Sequence, residues 1–146
     1  MVCMGLDVGT RRIGVALSDT LAMIAQPFST LRAGPGGGMP LAEIRSIVED
    51  RDVEVIVVGL PLRMDGTHGP AAETATVVAK ELEADLGVEV VLEDERLTSV
   101  EAERLLVEAG VRRQNRKGAT DRVAAALILQ SYLDRRALET SDGIGA

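Results

Sequence analysis

Two alternating stretches at the start of the chain constrain its fold more than any other feature. Within residues 2–8 and again within residues 13–19, larger apolar side chains alternate with small or polar residues. A period of two is typical of β-strands that bury one face. The short glycine-containing link at residues 9–12 joins them and predicts a β-hairpin. The second face of this hairpin consists of small residues around Asp7, which leaves room for a ligand or a packed helix.

The later strands predict that the sheet is mixed. Residues 24–32 indicate a third strand, which Pro27 restricts to an edge of the sheet. Two β-branched or apolar runs, at residues 53–59 and 88–93, each follow a helical pattern. Strands reached through a helix run parallel to their neighbours. The order β-β-β-α-β-α-β-α therefore predicts an α/β fold with a five-stranded mixed sheet and helices on both faces.

The length of the chain predicts one domain. Its 146 residues suffice to bury a core without disulfides. The last helix is expected over about residues 119–137, where apolar residues recur at helical spacing. We therefore expect a domain over residues 1–138 and a disordered tail over residues 139–146, which lack an apolar pattern.

Composition excludes several classes of protein. The single cysteine, Cys3, rules out a disulfide within the chain and a thiolate zinc site. The near absence of aromatic residues argues against a site that stacks bases on aromatic rings. The sequence shows neither a secretory signal nor an apolar run long enough for a membrane helix, so we expect a cytoplasmic protein with no membrane partner.

The charge distribution carries more information than the net charge. A net charge of −7 by itself argues against a nucleic-acid partner. The basic residues are, however, concentrated in a pair near the first hairpin and in a run before the last helix. These residues are Arg11 and Arg12, and then Arg112, Arg113, Arg116, Lys117 and Arg122. The run either binds phosphate or is a solvated loop.

Three acidic residues are expected to meet at one edge of the sheet. Asp7 lies near the end of the first strand, and Glu95 lies just beyond the last one. In open α/β sheets, ligands bind outside the carboxyl ends of the strands. Asp121 lies in the first turn of the last helix, on the stripe that should face the sheet. Each acid also has a simpler interpretation: Asp7 as a turn residue, Glu95 as a solvated residue before a helix cap, and Asp121 as a first-turn residue that interacts favourably with the helix dipole.

Three carboxylates in one pocket predict a bound cation. Their mutual repulsion would raise their pKa values unless a positive charge intervened. Mg²⁺ or Mn²⁺ prefers such oxygen ligands and often combines them with substrate phosphate. The sequence therefore points to metal-assisted chemistry on a phosphodiester.

Four motifs resemble a known family. The segments are GLDVGTRRIGVALSD, VVGLPLRMDGT with GP following, VVLEDERLTSVEAERLL, and RKGATDRVAAALILQSYL. In this order they resemble the YqgF/RuvX-type proteins, which are described as Holliday junction resolvases and linked to maturation of the 5′ end of 16S ribosomal RNA. The resemblance covers about residues 2–136.

The resemblance implies a ribonuclease H-like fold and a divalent-metal-dependent endonuclease. Its substrate would be structured nucleic acid, either four-way DNA junctions or precursor 16S rRNA, and a homodimer would suit a branched substrate. Asp7, Glu95 and Asp121 match the family's catalytic and metal-binding acids. The expected nucleic-acid contacts are Arg11, Arg12, Arg63, Arg96, Arg112, Arg113, Arg116, Lys117 and Arg122.

Two other functions remain open from the sequence. The phosphate loop of actin-like and sugar-kinase-like ATP-binding proteins also reads Asp-x-Gly-Thr within a first hairpin. Such proteins close a second lobe over the nucleotide. A non-catalytic nucleic-acid-binding assembly factor would use the basic loop and would need no metal.

Overall fold

The protein folds around one five-stranded sheet in the order β3-β2-β1-β4-β5. A computed structural model describes residues 1–34, 38–95, 98–110 and 116–145. The elements are β1 (Val2–Val8), β2 (Arg12–Ser18), β3 (Ala25–Arg32), α1 (Leu41–Arg51), β4 (Val53–Leu60), α2 (Pro70–Leu86), β5 (Glu89–Asp94), α3 (Thr98–Glu108) and α4 (Arg116–Gly145). The predicted α/β class, the edge position of the third strand and the element order through β5 are confirmed, and two helices, α3 and α4, follow β5 where the predicted order has one.

The sheet is antiparallel on one side of β1 and parallel on the other. β1 pairs antiparallel with β2, and in this register Asp7 lies opposite Gly14. β1 also pairs parallel with β4, which in turn pairs parallel with β5. Leu60 and Asp94 are partners at the carboxyl ends of β4 and β5. The three parallel strands therefore end at a common rim, as the helical connections required.

Helices cover both faces of the sheet, as predicted. On one face, α1 and α2 bury the larger apolar side chains of the hairpin and of β4. On the other face, α4 packs through a stripe that contains Ala125, Ile128 and Leu129. α3 packs against α4 rather than against the sheet. None of the described helices is both long and apolar enough to cross a bilayer.

Glycines on the α4 face let the helix approach the hairpin closely. A β-carbon at Gly5 would lie 2.7 Å from the Ala125 carbonyl oxygen, and one at Gly14 would overlap the carbonyl oxygen of Asp121. Contacts this short do not occur in packed proteins, so any side chain at Gly14 would push away the first turns of α4. The small residues around Asp7 therefore have two uses: they admit the helix, and they place Asp121 beside β1.

The last helix is longer than the sequence predicted. It begins at Arg116 and continues to Gly145, whereas we predicted a helix over about residues 119–137 and a disordered tail over residues 139–146. Ala137, Leu138 and Glu139 are strong helix formers. Arg135 also forms an ion pair with Glu139 one turn later, with 3.3 Å between Nη1 and Oε1. These local preferences extend the helix without an apolar stripe.

Substitution of Gly14 tests the close packing of α4. Gly14→Ala should lower the free energy of unfolding by about 3 kcal/mol, because the added methyl group overlaps the backbone of α4. Urea denaturation followed by circular dichroism measures this change. Gly118→Ala, within α4 itself, is the control. Its β-carbon would make ordinary contacts of 3.5 Å or more, so stability should stay the same or rise by up to about 1 kcal/mol. Equal effects of the two substitutions would contradict the packing argument.

Candidate active site

Asp7 and Glu95 meet at the rim formed by the parallel strands. The backbone N–H of Glu95 donates a hydrogen bond to the carbonyl oxygen of Leu60, at 3.2 Å, which turns the chain back over the end of β4. The Glu95 carboxyl group then lies against Gly59, where any β-carbon would overlap its Oε2 atom. Gly59 therefore provides the space in which the Glu95 side chain reaches the α4 face and Asp7.

The two carboxyl groups share a proton. Burial, followed by the neighbouring charge of Asp7, raises the pKa of Glu95 to about 8. Burial and the charge of Asp121 raise the pKa of Asp7 to about 6, although a hydrogen bond from Glu95 opposes the shift. At neutral pH, Glu95 is therefore protonated and donates its proton to the ionised Asp7. Two buried like charges cannot both persist without a positive charge between them.

Asp121 lies close to this pair and is held by a different partner. Its Oδ2 atom accepts a hydrogen bond from Nε of Arg12 at 2.7 Å, and both side chains are partly buried. The Asp121 charge nevertheless contributes to the raised pKa of Asp7. The acids from β1, from the segment after β5, and from α4 are thus neighbours. Two are joined directly, and the third is neutralised by Arg12.

The acids fit a hard divalent cation. Their donors are carboxylate oxygens, the type that Mg²⁺ and Mn²⁺ prefer. Within the described ranges, no group of three His, Cys, Asp or Glu side chains is arranged to hold a metal ion. Mg²⁺ does not need three, since it is commonly bound by one or two carboxylates together with waters and substrate phosphate. The Asp7–Glu95 pair supplies two, and a cation would replace the proton that they share.

The sequence profile of the family described as "RuvX: Holliday junction resolvase" matches residues 1–135. This chain belongs to the RuvX family. Relatives named "Putative pre-16S rRNA nuclease" support the assignment. The Moorella thermoacetica protein is 48% identical over 92% of this chain and 96% of its own length. The Halalkalibacterium halodurans protein is 45% identical over 95% of this chain and its entire length.

Solved structures confirm the ribonuclease H-like fold of this RuvX-family protein. Thermus thermophilus RuvC, in complex with a Holliday junction substrate, has a TM-score of 0.54 at 16% identity, covering 94% of this chain and 96% of RuvC. The fowlpox virus Holliday junction resolvase has a TM-score of 0.53 at 11% identity, covering 92% of this chain and 99% of the resolvase. At these identities the likeness establishes the fold alone.

Family membership also settles the class of activity. The RuvX assignment supports a nuclease that acts on nucleic acid, which confirms the enzyme class expected from the sequence. It favours this reading over an ATP-binding protein or a non-catalytic assembly factor. Nucleases with this fold generally use divalent metal ions.

The structure separates the predicted nucleic-acid contacts into three groups. Arg11 and Arg63 are exposed, and the guanidinium group of Arg63 lies over Gly69 in the β4–α2 loop. Arg12 and Arg122 instead have partners within the protein: Arg122 donates to Thr30 Oγ1 at 3.0 Å. The remaining side chains lie outside the described part of the chain, namely Arg96, Arg112, Arg113, Arg116 and Lys117.

Glu93 is a supporting residue that the sequence analysis did not single out. It is only 8% exposed, accepts a hydrogen bond from Ser131 Oγ at 3.0 Å, and forms an ion pair with Arg135. These contacts fix the end of β5 to α4, two residues before Glu95. Strand alternation could have revealed this role, because Glu93 shares the buried face of Val91.

The shared proton predicts how stability depends on pH without metal. Both acids have higher pKa values in the folded protein, about 6 for Asp7 and about 8 for Glu95, than their ordinary values of 3.8 and 4.5. Between the ordinary pKa and the raised pKa of each acid, the folded state binds more protons than the unfolded state. The free energy of unfolding therefore falls as pH rises through this range. The slope should reach about 1 kcal/mol per pH unit. Denaturant titrations in EDTA at a series of pH values measure it.

The matched variants are Glu95→Gln and Glu43→Gln. Glutamine mimics the protonated carboxyl group, so Glu95→Gln should flatten the upper part of the pH profile. Glu43 is exposed on α1, and its substitution should leave the profile unchanged. A wild-type profile that is flat between pH 6 and 8, the interval set by the two raised pKa values, would contradict the shared proton.

Proposed function

We propose that this protein is a Mg²⁺- or Mn²⁺-dependent endonuclease that hydrolyses phosphodiester bonds in structured nucleic acid. The observation that carries the proposal is the direct contact between Asp7 and Glu95 at the rim of the sheet, where both are partly buried beside Asp121. Asp7 and Glu95 would hold the cation, and Asp121 would complete the catalytic set. A divalent cation, when bound, supplies Lewis-acid stabilisation for the charge that develops on the phosphate.

The protein's own groups prepare this site in three ways. Asp7 is fixed by the β1–β2 pairing, and Gly59 leaves the space that Glu95 needs. Glu95 must lose its proton to act as a ligand, since only the ionised carboxylate binds a cation strongly. Arg12 forms an ion pair with Asp121 beside them. The result is a group of acids that becomes more negative when the proton shared by Asp7 and Glu95 dissociates.

The substrates that we propose are four-way DNA junctions and precursor 16S rRNA. The family description names the first, and the names of close relatives indicate the second. Exposed arginines at the rim, Arg11 and Arg63, would contact the phosphate backbone despite the net charge of −7. A homodimer would place two such sites on a junction for paired cuts.

Loss of Asp7 tests the metal assignment. Asp7→Asn should lower the rate of cleavage of a four-way junction and of a 16S rRNA precursor in Mn²⁺ by more than about 100-fold, the upper cost of losing even an outer-shell partner of a metal. Mn²⁺ binding, measured by isothermal titration calorimetry, should weaken in parallel. Gel assays of initial rates measure the cleavage.

Asp50→Asn is the matched control for this experiment. Asp50 lies on the exposed end of α1, so the same change in charge should alter neither cleavage nor Mn²⁺ binding. Cleavage by Asp7→Asn at the wild-type rate would defeat the metal assignment. Mn²⁺ binding without cleavage of either substrate would leave the metal site in place and reject the proposed activity.

A further inference from the structure

A cleft opens at the same rim as the carboxylates, on the opposite face of the sheet. It encloses about 420 Å³, and its walls come from the end of β1, the β1–β2 turn, the start of the β4–α2 loop, and α2. Its lining side chains include Val8, Thr10, Pro61, Ala71, Thr74 and Val78. This volume lies within the range of pockets that bind small organic groups, about 300–1,000 Å³.

Two short backbone connections tie this cleft to the acidic pair. Val8 directly follows Asp7 and faces the α2 side, because successive strand residues point to opposite faces. Pro61 directly follows Leu60, whose carbonyl oxygen accepts the hydrogen bond from Glu95. Since a strand advances about 3.3 Å per residue, the cleft begins within a few ångströms of both carboxylate-bearing backbones. A chain crossing the rim would meet the acids and the cleft in succession.

The chemistry of the cleft suits a nucleobase and not a phosphate. Its described lining residues carry no charge, so a phosphate would lose its hydration without gaining a positive partner. Val8, Pro61 and Val78 offer apolar surfaces to the faces of a planar ring. Thr74 donates its hydroxyl proton to the Pro70 carbonyl oxygen at 3.1 Å, which leaves its own oxygen able to accept a hydrogen bond from a ring edge.

We propose that this cleft receives one unstacked base of the nucleic-acid substrate while an adjacent phosphate lies at the Asp7–Glu95 pair. The proposal rests on the nuclease function and specifies the substrate class: a nucleotide at a branch point, loop or single-stranded end, where a base leaves its stack at low cost. Aliphatic walls take the place of the aromatic platforms that this chain lacks. Arg63 is exposed in the loop that follows Pro61, with its guanidinium group over Gly69, two residues before Ala71, and would supply a cation for the backbone.

Filling the cleft is the direct test. Ala71 is exposed in the first turn of α2 and lines the cleft, so the ring of Ala71→Phe would occupy the cleft without displacing the core. Thr10→Phe fills it from the opposite wall. Ala84→Phe is the matched control, because Ala84 is also exposed on α2 and is not among the residues that line the cleft. Thermal melts should show that all three variants fold.

The probes are a fluorescent oligodeoxyadenylate and an abasic strand of equal length, which share a backbone and differ only in their bases. Binding is measured by fluorescence anisotropy with Ca²⁺ in place of Mg²⁺. The wild-type protein should bind the oligodeoxyadenylate about tenfold more tightly than the abasic strand. Ala71→Phe and Thr10→Phe should remove this difference and leave abasic binding unchanged, whereas Ala84→Phe should retain it.

Two results would overturn the proposal: equal wild-type affinity for the two strands, or a tenfold preference that survives in both Ala71→Phe and Thr10→Phe. Failure of the nuclease function has a different signature. Base-dependent binding that is lost in the filled variants, with no metal-dependent cleavage of any substrate, would support the cleft and reject the nuclease. Metal-dependent cleavage without base-dependent binding would support the nuclease function and reject the cleft as a base-binding site.

Discussion

The repulsion between the partly buried carboxyl groups of Asp7 and Glu95 is the interaction on which the candidate site depends. Asp7 and Glu95 are brought together where burial alone disfavours their ionised forms, and Asp121 adds a third charge nearby. Without a cation the conflict is resolved in two ways: Glu95 keeps a proton, and Arg12 neutralises Asp121. A cation could replace both the Glu95 proton and the Arg12 contact, since a proton can dissociate and a partly exposed arginine can move. In the function proposed above, a divalent ion bound by Asp7 and Glu95 would replace the proton and relieve their repulsion, with Asp121 nearby.

The geometry of the site depends on glycines, which lack a side chain, as much as on the residues that carry the functional groups. Glycines at positions 5 and 14 bring α4 against the hairpin, and Gly59 makes space for the Glu95 carboxyl group. Glu93 then fixes the end of β5 to α4 through Ser131 and Arg135. Asp7 and Asp121 thus lie on regular elements, and Glu95 directly follows the fixed end of β5, as a preorganised electrostatic site requires.

Periodicity in the sequence predicted most of this architecture. Alternation around Asp7 and the β-branched run at residues 53–59 defined the sheet, and helical connections fixed which strands are parallel. The common rim, and so the meeting of Asp7 with Glu95, followed from topology. The extent of α4 was wrong because local helix preference around Ala137, not an apolar stripe, extends that helix to Gly145. The pairing of Arg12 with Asp121 could not be predicted, because it depends on the rotation of α4 over Gly14, which only packing determines. The cleft beside Val8 was missed for the same reason: it is a gap between α2 and the rim, and gaps leave no pattern in a sequence.

A crystal structure grown with Mn²⁺ tests the central claim most directly, because anomalous scattering locates the ion independently of the protein atoms. We expect an anomalous peak between the carboxylate oxygens of Asp7 and Glu95, close to Asp121. A fully occupied Mn²⁺ peak elsewhere on the protein, with Asp7 and Glu95 still joined by their hydrogen bond, would contradict it.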